Sequence, residues 1–229
     1  MNLFRRVFIS LTLIFAFTSL ADAASEIPFS GFFGNQTIYD QLQPGPKGGA
    51  KLIWKKTGVS PDKYKRFMVD SVIFFLADNA DYKGIDPQEM KELCDSFNRE
   101  IAAAFRNKYE IVTESAPDVA RLSIAITNIK PSKPGVSAVT SIVPVGLGVS
   151  LVKKGATGGW SGSGQTCMEL MVLDSVTSEI VILAVDQRKA EFESRFTKWG
   201  SANDAFKLWS TKIVDFINHT RKGSRSPEL

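Results

Sequence analysis

QTCMELMVLDSVTSEIVILAVD, residues Gln165–Asp186, reads as two strands and the turn between them. From Gln165 to Leu173 the residues alternate, with Met168, Leu170 and Val172 on one face. Asp174-Ser175-Val176-Thr177-Ser178 is turn chemistry, and Glu179–Asp186 returns as the partner strand. A hairpin this apolar needs a second layer to cover it.

Downstream, a polar connection carrying Phe192, Phe196 and Trp199 leads to a helix that Ser201 is expected to cap, with Asp204 three residues on. Its buried stripe is Ala205, Phe206, Trp209, Ile213, Phe216 and Ile217. Upstream, Val119–Ile129 alternates through Leu122, Ile124, Ile126 and Ile129 as another strand, and Tyr109–Thr113 reads as a shorter one. Before these, Asp86 is a natural N-cap with Pro87 at the first helical position and Glu89 at the third, a capping box. The helix it opens is expected over Pro87–Phe105, with Met90, Leu93, Cys94, Phe97, Ile101 and Phe105 at three- and four-residue steps. Phe67–Leu76 and Lys51–Lys56 add two further strands. The order strand, helix, antiparallel strands, helix predicts an α+β fold. It is a two-layer sandwich, a mostly antiparallel sheet with two main helices packed on one face.

Outside this core lie four segments of different character. Residues 24–50 form a lead-in rich in Gly and Pro, with Phe29, Phe32, Phe33 and Tyr39 laid on the domain surface, before a single domain over 51–218. The tail, 219–229, is basic and expected to fray. Residues 134–159 are an insertion that holds VSAVTSIVPVGLGVSLV, Val136–Val152, seventeen residues without a charge, between Lys133 and Lys153. Val136, Val139, Ile142, Val143, Pro144, Val145, Leu147, Val149 and Leu151 are its candidate contacts with a membrane or a partner, the alternative being burial inside the fold. Pro144, Gly146 and Gly148 oppose a continuous spanning helix.

The fourth segment is the start. Arg5 and Arg6, the uncharged run Val7–Leu20 and the small residues Ala21 and Ala23 follow the order of a secretory signal peptide, residues 1–23. At fourteen residues the run is short of the roughly 20 of a spanning helix. Cleavage near Ala24 places the expected mature protein in the periplasm or outside the cell. No cysteine stands at the cleavage point to take a lipid.

Composition narrows the functional classes. The chain has 229 residues, 44% apolar and 23% charged, and a formal charge of +4, partly carried by the signal segment and the tail. That balance suits a globular domain and gives no basis for nucleic-acid binding. Two cysteines, Cys94 and Cys167, are either buried free thiols or one disulfide formed in an oxidising compartment. His219 is the single histidine, so neither a Ser-His-Asp site nor zinc ligation is expected. Asn79, Asp81, Lys83 and Gly84 mimic part of a calcium loop, but Met90 occupies the place of the bidentate glutamate. Phosphate-binding glycine loops are missing as well. Asp70, Asp174 and Asp186 near strand ends remain as carboxylates that a hydrolase could pair. The expected protein has no catalytic residues, no cofactor and no metal.

Several segments resemble one family: Leu42–Ala50 (LQPGPKGGA), Tyr82–Ile85, Lys130–Pro134, Val143–Gly146, Leu173–Ser175 and Phe196–Gly200. Together they are similar to the bacterial envelope family of unknown function numbered thirty-three-thirteen. The resemblance implies an exported bacterial protein, commonly a lipoprotein, with no assigned activity. The expected role is therefore non-enzymatic. The protein would bind another envelope component, a protein or a lipid surface, through its loops or the apolar insertion; the insertion also makes a second copy of the chain a candidate partner.

Overall fold

The computed structural model describes residues 29–76, 84–132, 164–189 and 197–223. In chain order they form α1 (Gln36–Tyr39), β1 (Gln43–Pro44), β2 (Leu52–Lys55), β3 (Arg66–Val69), β4 (Ile73–Phe74) and α2 (Pro87–Phe105). After these come β5 (Val119–Lys130), β6 (Gln165–Asp174), β7 (Ile180–Lys189) and α3 (Gly200–Gly223). The alternating stretch becomes the β6–β7 hairpin at the centre of a sheet ordered β1-β2-β7-β6-β5-β3, with β4 also on β5. Asp174 makes the turn: its Oδ1 accepts from the N–H groups of Val176 and Thr177, both at 3.0 Å. The fold is the expected α+β sandwich with a mostly antiparallel sheet.

Two strands depart from that pattern. The expected strand Phe67–Leu76 is split into β3 and β4, and both run parallel to β5. Val72 N–H leaves the ladder between them and donates to Asn98 Oδ1 on α2 at 3.0 Å. Parallel neighbours require a crossover, and α2 supplies it between β4 and β5. Tyr109–Thr113, expected as a strand, makes a single bridge from Ile111 to Phe67. Its tyrosine ring instead packs edge-on against Phe67, with centroids 5.2 Å apart.

Each face of the sheet has its own apolar set, because successive side chains point to opposite sides. On the helix face, Leu122, Ile124 and Ile126 of β5 and Met168, Leu170 and Val172 of β6 meet Leu93, Phe97 and Ile101 of α2 and Phe206, Trp209 and Ile213 of α3. A bulge between Ile126 and Asn128 shifts the phase of β5 and keeps Ile129 in the same core. On the other face, Leu183 and Val185 are covered by Phe33 and Leu42 of the lead-in, with Phe32, Ile38 and Tyr39 around them. The lead-in is thus a strap across the back of the sheet, with a helical turn and a short strand of its own, rather than an extended surface decoration.

Both helix starts can be compared with their expected caps. Asp86 accepts from Gln88 N–H at 2.8 Å, and Glu89 accepts from Trp199 Nε1 at 3.2 Å and from Lys198, tying the start of α2 to the approach of α3. Ser201 is not the cap of α3: the helix has begun by Gly200, and Ser201 is buried inside its first turn. That helix runs on to Gly223, into the first part of the expected tail. The signal segment 1–23, the insertion residues Val136–Val152, Asp81 and Lys83 of the calcium-like loop and residues 224–229 lie outside the described residues.

The two cysteines are free and do not form the bridge left open by the sequence. Cys94 packs from α2 against the helix-face core. Cys167 is paired in register with Asn128 and Gln187 on the strap side of β6 and accepts from Gln187 Nε2 at 3.4 Å. The sheet itself stands between the two sulfurs. Burial pushes the Cys94 thiol up to about 11, which suppresses its reactive thiolate. Unfolded, unreduced protein should therefore titrate two thiols per chain with a disulfide-exchange reagent; a count of zero would contradict the separation of the cysteines.

Candidate functional site

The helix layer does not fill the helix face evenly. Where α3 lies over β6 and β7, the sheet presents small residues, Ala184 of β7 and Ala120 of β5, beside Val172 and Val181. Between them and the helix residues Trp209, Ile213, Phe216 and Ile217 lies a cavity of about 200 Å³. Its side wall is Tyr64, Phe67 and Val59, with Pro46, Gly49 and Ala50 of the loop before β2. That loop is closed by a glycine: a Cβ on Gly45 would stand 1.9 Å from Ala50 O. Interiors rarely keep a void this large, and sealing one empty costs on the order of 5 kcal/mol. Part-exposed Pro46, Lys55, Val59 and Phe216 open this cavity to solvent.

Polar groups are confined to its margins. Lys55 Nζ lies 4.6 Å from the centroid of the Phe216 ring and has no carboxylate partner among the described residues. Its neighbour Lys56 pairs with Glu179. Deeper in, Lys212 donates to Gly49 O at 2.8 Å and stands 3.7 Å from Asp186 Oδ2. Burial lowers the pKa of Lys212, and the Asp186 charge opposes that shift. Asp186 Oδ2 also accepts from Trp209 Nε1 at 2.8 Å and Arg188 Nε at 3.1 Å, so the carboxylate fixes the helix to the sheet. The cavity therefore combines an apolar interior with a cationic edge.

The three carboxylates considered for hydrolysis are not brought together. Asp70 binds Arg121 Nε at 2.9 Å and accepts from Ser123 on the strap side. Asp174 holds the hairpin turn and accepts from Lys63 Nζ at 2.5 Å and Tyr64 at 3.1 Å. Lys63 and the turn N–H groups keep its carboxyl far below the usual range. Asp186, on the same face as Asp174, is six residues along the ladder from it, about 20 Å of strand. Among the described residues no three His, Cys, Asp or Glu side chains gather as metal ligands, and no helix is long and apolar enough to cross a membrane.

One acid escaped the sequence reading. Glu169 sits mid-strand in β6 at zero exposure, on the face covered by the strap. Tyr39 of the strap donates to its Oε2 at 2.5 Å, and Ser30 stands 2.8 Å behind that hydroxyl. Burial pushes the pKa of Glu169 above that of an ordinary glutamate, against the hydrogen bonds from Tyr39, Ser30 and Thr127. The same burial, with the acceptor beside it, raises Tyr39 to about 12. A charged residue alternating with buried ones was the available signal, but on its own it marks a solvent face; only the strap turns that face inward.

The unfolded chain releases the Glu169 proton near the ordinary value, whereas the folded chain keeps it to a higher pH. Stability from this group therefore falls as pH rises from the ordinary glutamate pKa through the raised one. Glu169→Gln keeps a partner for Tyr39 and removes the titration. In urea denaturation the variant should gain on the wild type as pH rises through the raised Glu169 pKa, the difference growing between pH 4 and pH 8. A difference that does not change with pH would contradict the buried acid.

Among curated proteins, none matches the chain. Among solved structures, the PelC dodecamer from Paraburkholderia phytofirmans is similar at 10% identity, over 70% of this chain and 96% of that one, with a TM-score of 0.38. The protein XCC0632 of Xanthomonas campestris, of the family DUF330, is similar at 10% identity over 75% of this chain and 95% of that one, TM-score 0.37. A DUF4136 family protein from Bacteroides thetaiotaomicron covers 75% of this chain and 93% of its own at 9% identity, TM-score 0.28. The family model described as Protein of unknown function (DUF3313) matches residues 28–213, most of the length, and the chain belongs to that family.

Proposed function

We propose that this protein is a non-enzymatic, exported component of the bacterial envelope whose domain binds an apolar molecule between α3 and the sheet. The observation that carries the reading is the solvent-open cavity of about 200 Å³, walled by aliphatic and aromatic side chains. The acids that could do chemistry are each committed to a structural partner instead. The signal-like start supports export. In this reading Val136–Val152 makes the contact with an envelope protein, a lipid surface or a second copy of the chain. Lys130 and Gln165 are register partners, so the insertion leaves and re-enters the sheet at one point.

A neutral apolar fluorophore, N-phenyl-1-naphthylamine, tests the pocket. Wild-type protein should enhance its emission saturably at one site per chain. Ala184→Phe fills the cavity from the sheet, and Val59→Trp narrows it from a part-exposed loop where folding is less at risk. Both variants should weaken binding about tenfold or more. No saturable signal from the wild type would overturn the proposal, as would unchanged binding by folded Val59→Trp.

A further inference from the structure

The cavity's size and margin say more than that it is apolar. A cavity of roughly 150 Å³ admits one benzene, so about 200 Å³ suits about eight non-hydrogen atoms, more than a single small ring and far less than a long-chain lipid. Its edge is not neutral. Lys55, the last residue of β2, lies beside Phe216 and is followed by Lys56, while Lys212 of the lining and Arg188 outside it hold the inner acid. Against these four cations stand two carboxylates, Glu179 on Lys56 and Asp186 beneath Lys212 and Arg188. That leaves a positive excess, part of it where Lys212 and Arg188 share one acid and the rest at the mouth, on Lys55, the one rim lysine with no carboxylate partner among the described residues.

We propose that the pocket takes a free medium-chain carboxylate, an alkyl tail of about eight carbons in the cavity with its carboxylate head at Lys55. This rests on the reading of the cavity as a binding site and adds the chemistry of what enters it. The tail lies between Leu170 and Val172 below and Ile213 above. The head stays at the solvent edge, where an ionised carboxylate keeps most of its hydration and accepts from the Lys55 ammonium. A neutral amphiphile of equal length would meet the same walls and leave the charge of that ammonium uncompensated.

Isothermal titration of the intact folded protein with octanoate and 1-octanol separates recognition of the carboxylate from occupation of the cavity. Octanoate should bind about tenfold more tightly than octanol, the margin of one charge-assisted hydrogen bond at a part-exposed site. Lys55→Gln, on an exposed side chain, should bring octanoate to within about twofold of octanol and leave octanol unchanged. Raising the salt should erode the octanoate advantage alone. Octanol binding as tightly as octanoate, with Lys55→Gln moving neither, would overturn the carboxylate assignment and leave the pocket standing. Failure of both ligands to bind would remove the pocket reading as well. Protein that sediments with anionic phospholipid vesicles yet ignores monomeric octanoate would also overturn the proposal, since the recognised surface would then be a bilayer.

Discussion

The stack of Phe97 on Phe206 holds the helix layer together. The two rings lie 4.6 Å apart and 8° from parallel, one from each long helix, and both are fully buried. Trp209 leans on the same stack with its centroid 6.0 Å from Phe97, and its indole N–H reaches down to Asp186 on the sheet at 2.8 Å. Aromatic area of this kind dominates core energetics, and truncating one such ring to alanine costs about 3–5 kcal/mol. The consequence is positional as well as energetic. The α2 contact and the Asp186 bond together set the height of α3 above the sheet. That height is what leaves space over Ala120 and Ala184 while the rest of the interface closes.

The opposite face follows another rule. Its apolar residues are fewer, and the strap covers them with Phe33 and Leu42 around a buried acid. A carboxylate there is expensive to ionise, and the tyrosine hydroxyl that meets it arrives from 130 residues earlier in the chain. The Tyr39–Glu169 hydrogen bond consequently fixes where the strap crosses, since no other alignment of the lead-in would bring that donor to the acid. The sheet separates two kinds of burial: a polar pair closed under the strap, and an apolar space left open under the helix.

Much of this was legible in residue patterns because it depends on local period. The stripe of α2, the stripe of α3 and the alternation of β6 and β7 each reveal one buried face, and Asp174 could be recognised as a turn residue from its neighbours alone. The parallel pairing of β3 and β4 with β5 could not, since it follows from the path of α2 over the sheet. The split at Asp70–Val72 was hidden for the same reason: its cause is Asn98, on a helix formed later in the chain. The cavity was invisible for a related reason. Alanines at positions 50, 120 and 184 are unremarkable one by one and leave a gap only when separate segments gather beneath a single helix. Glu169 was passed over because alternation identifies two faces of a strand but does not say that both are covered.

If the space under α3 is a binding pocket, a ligand must be found among the side chains that wall it. Isotope-filtered nuclear Overhauser spectroscopy on methyl-labelled protein with octanoate measures that contact directly. The account predicts cross-peaks from the tail to the methyl groups of Leu170, Val172 and Ile213, with none to Leu183 and Val185 beneath the strap. Cross-peaks confined to the strap face, or a saturated ligand without a contact to those three residues, would contradict it.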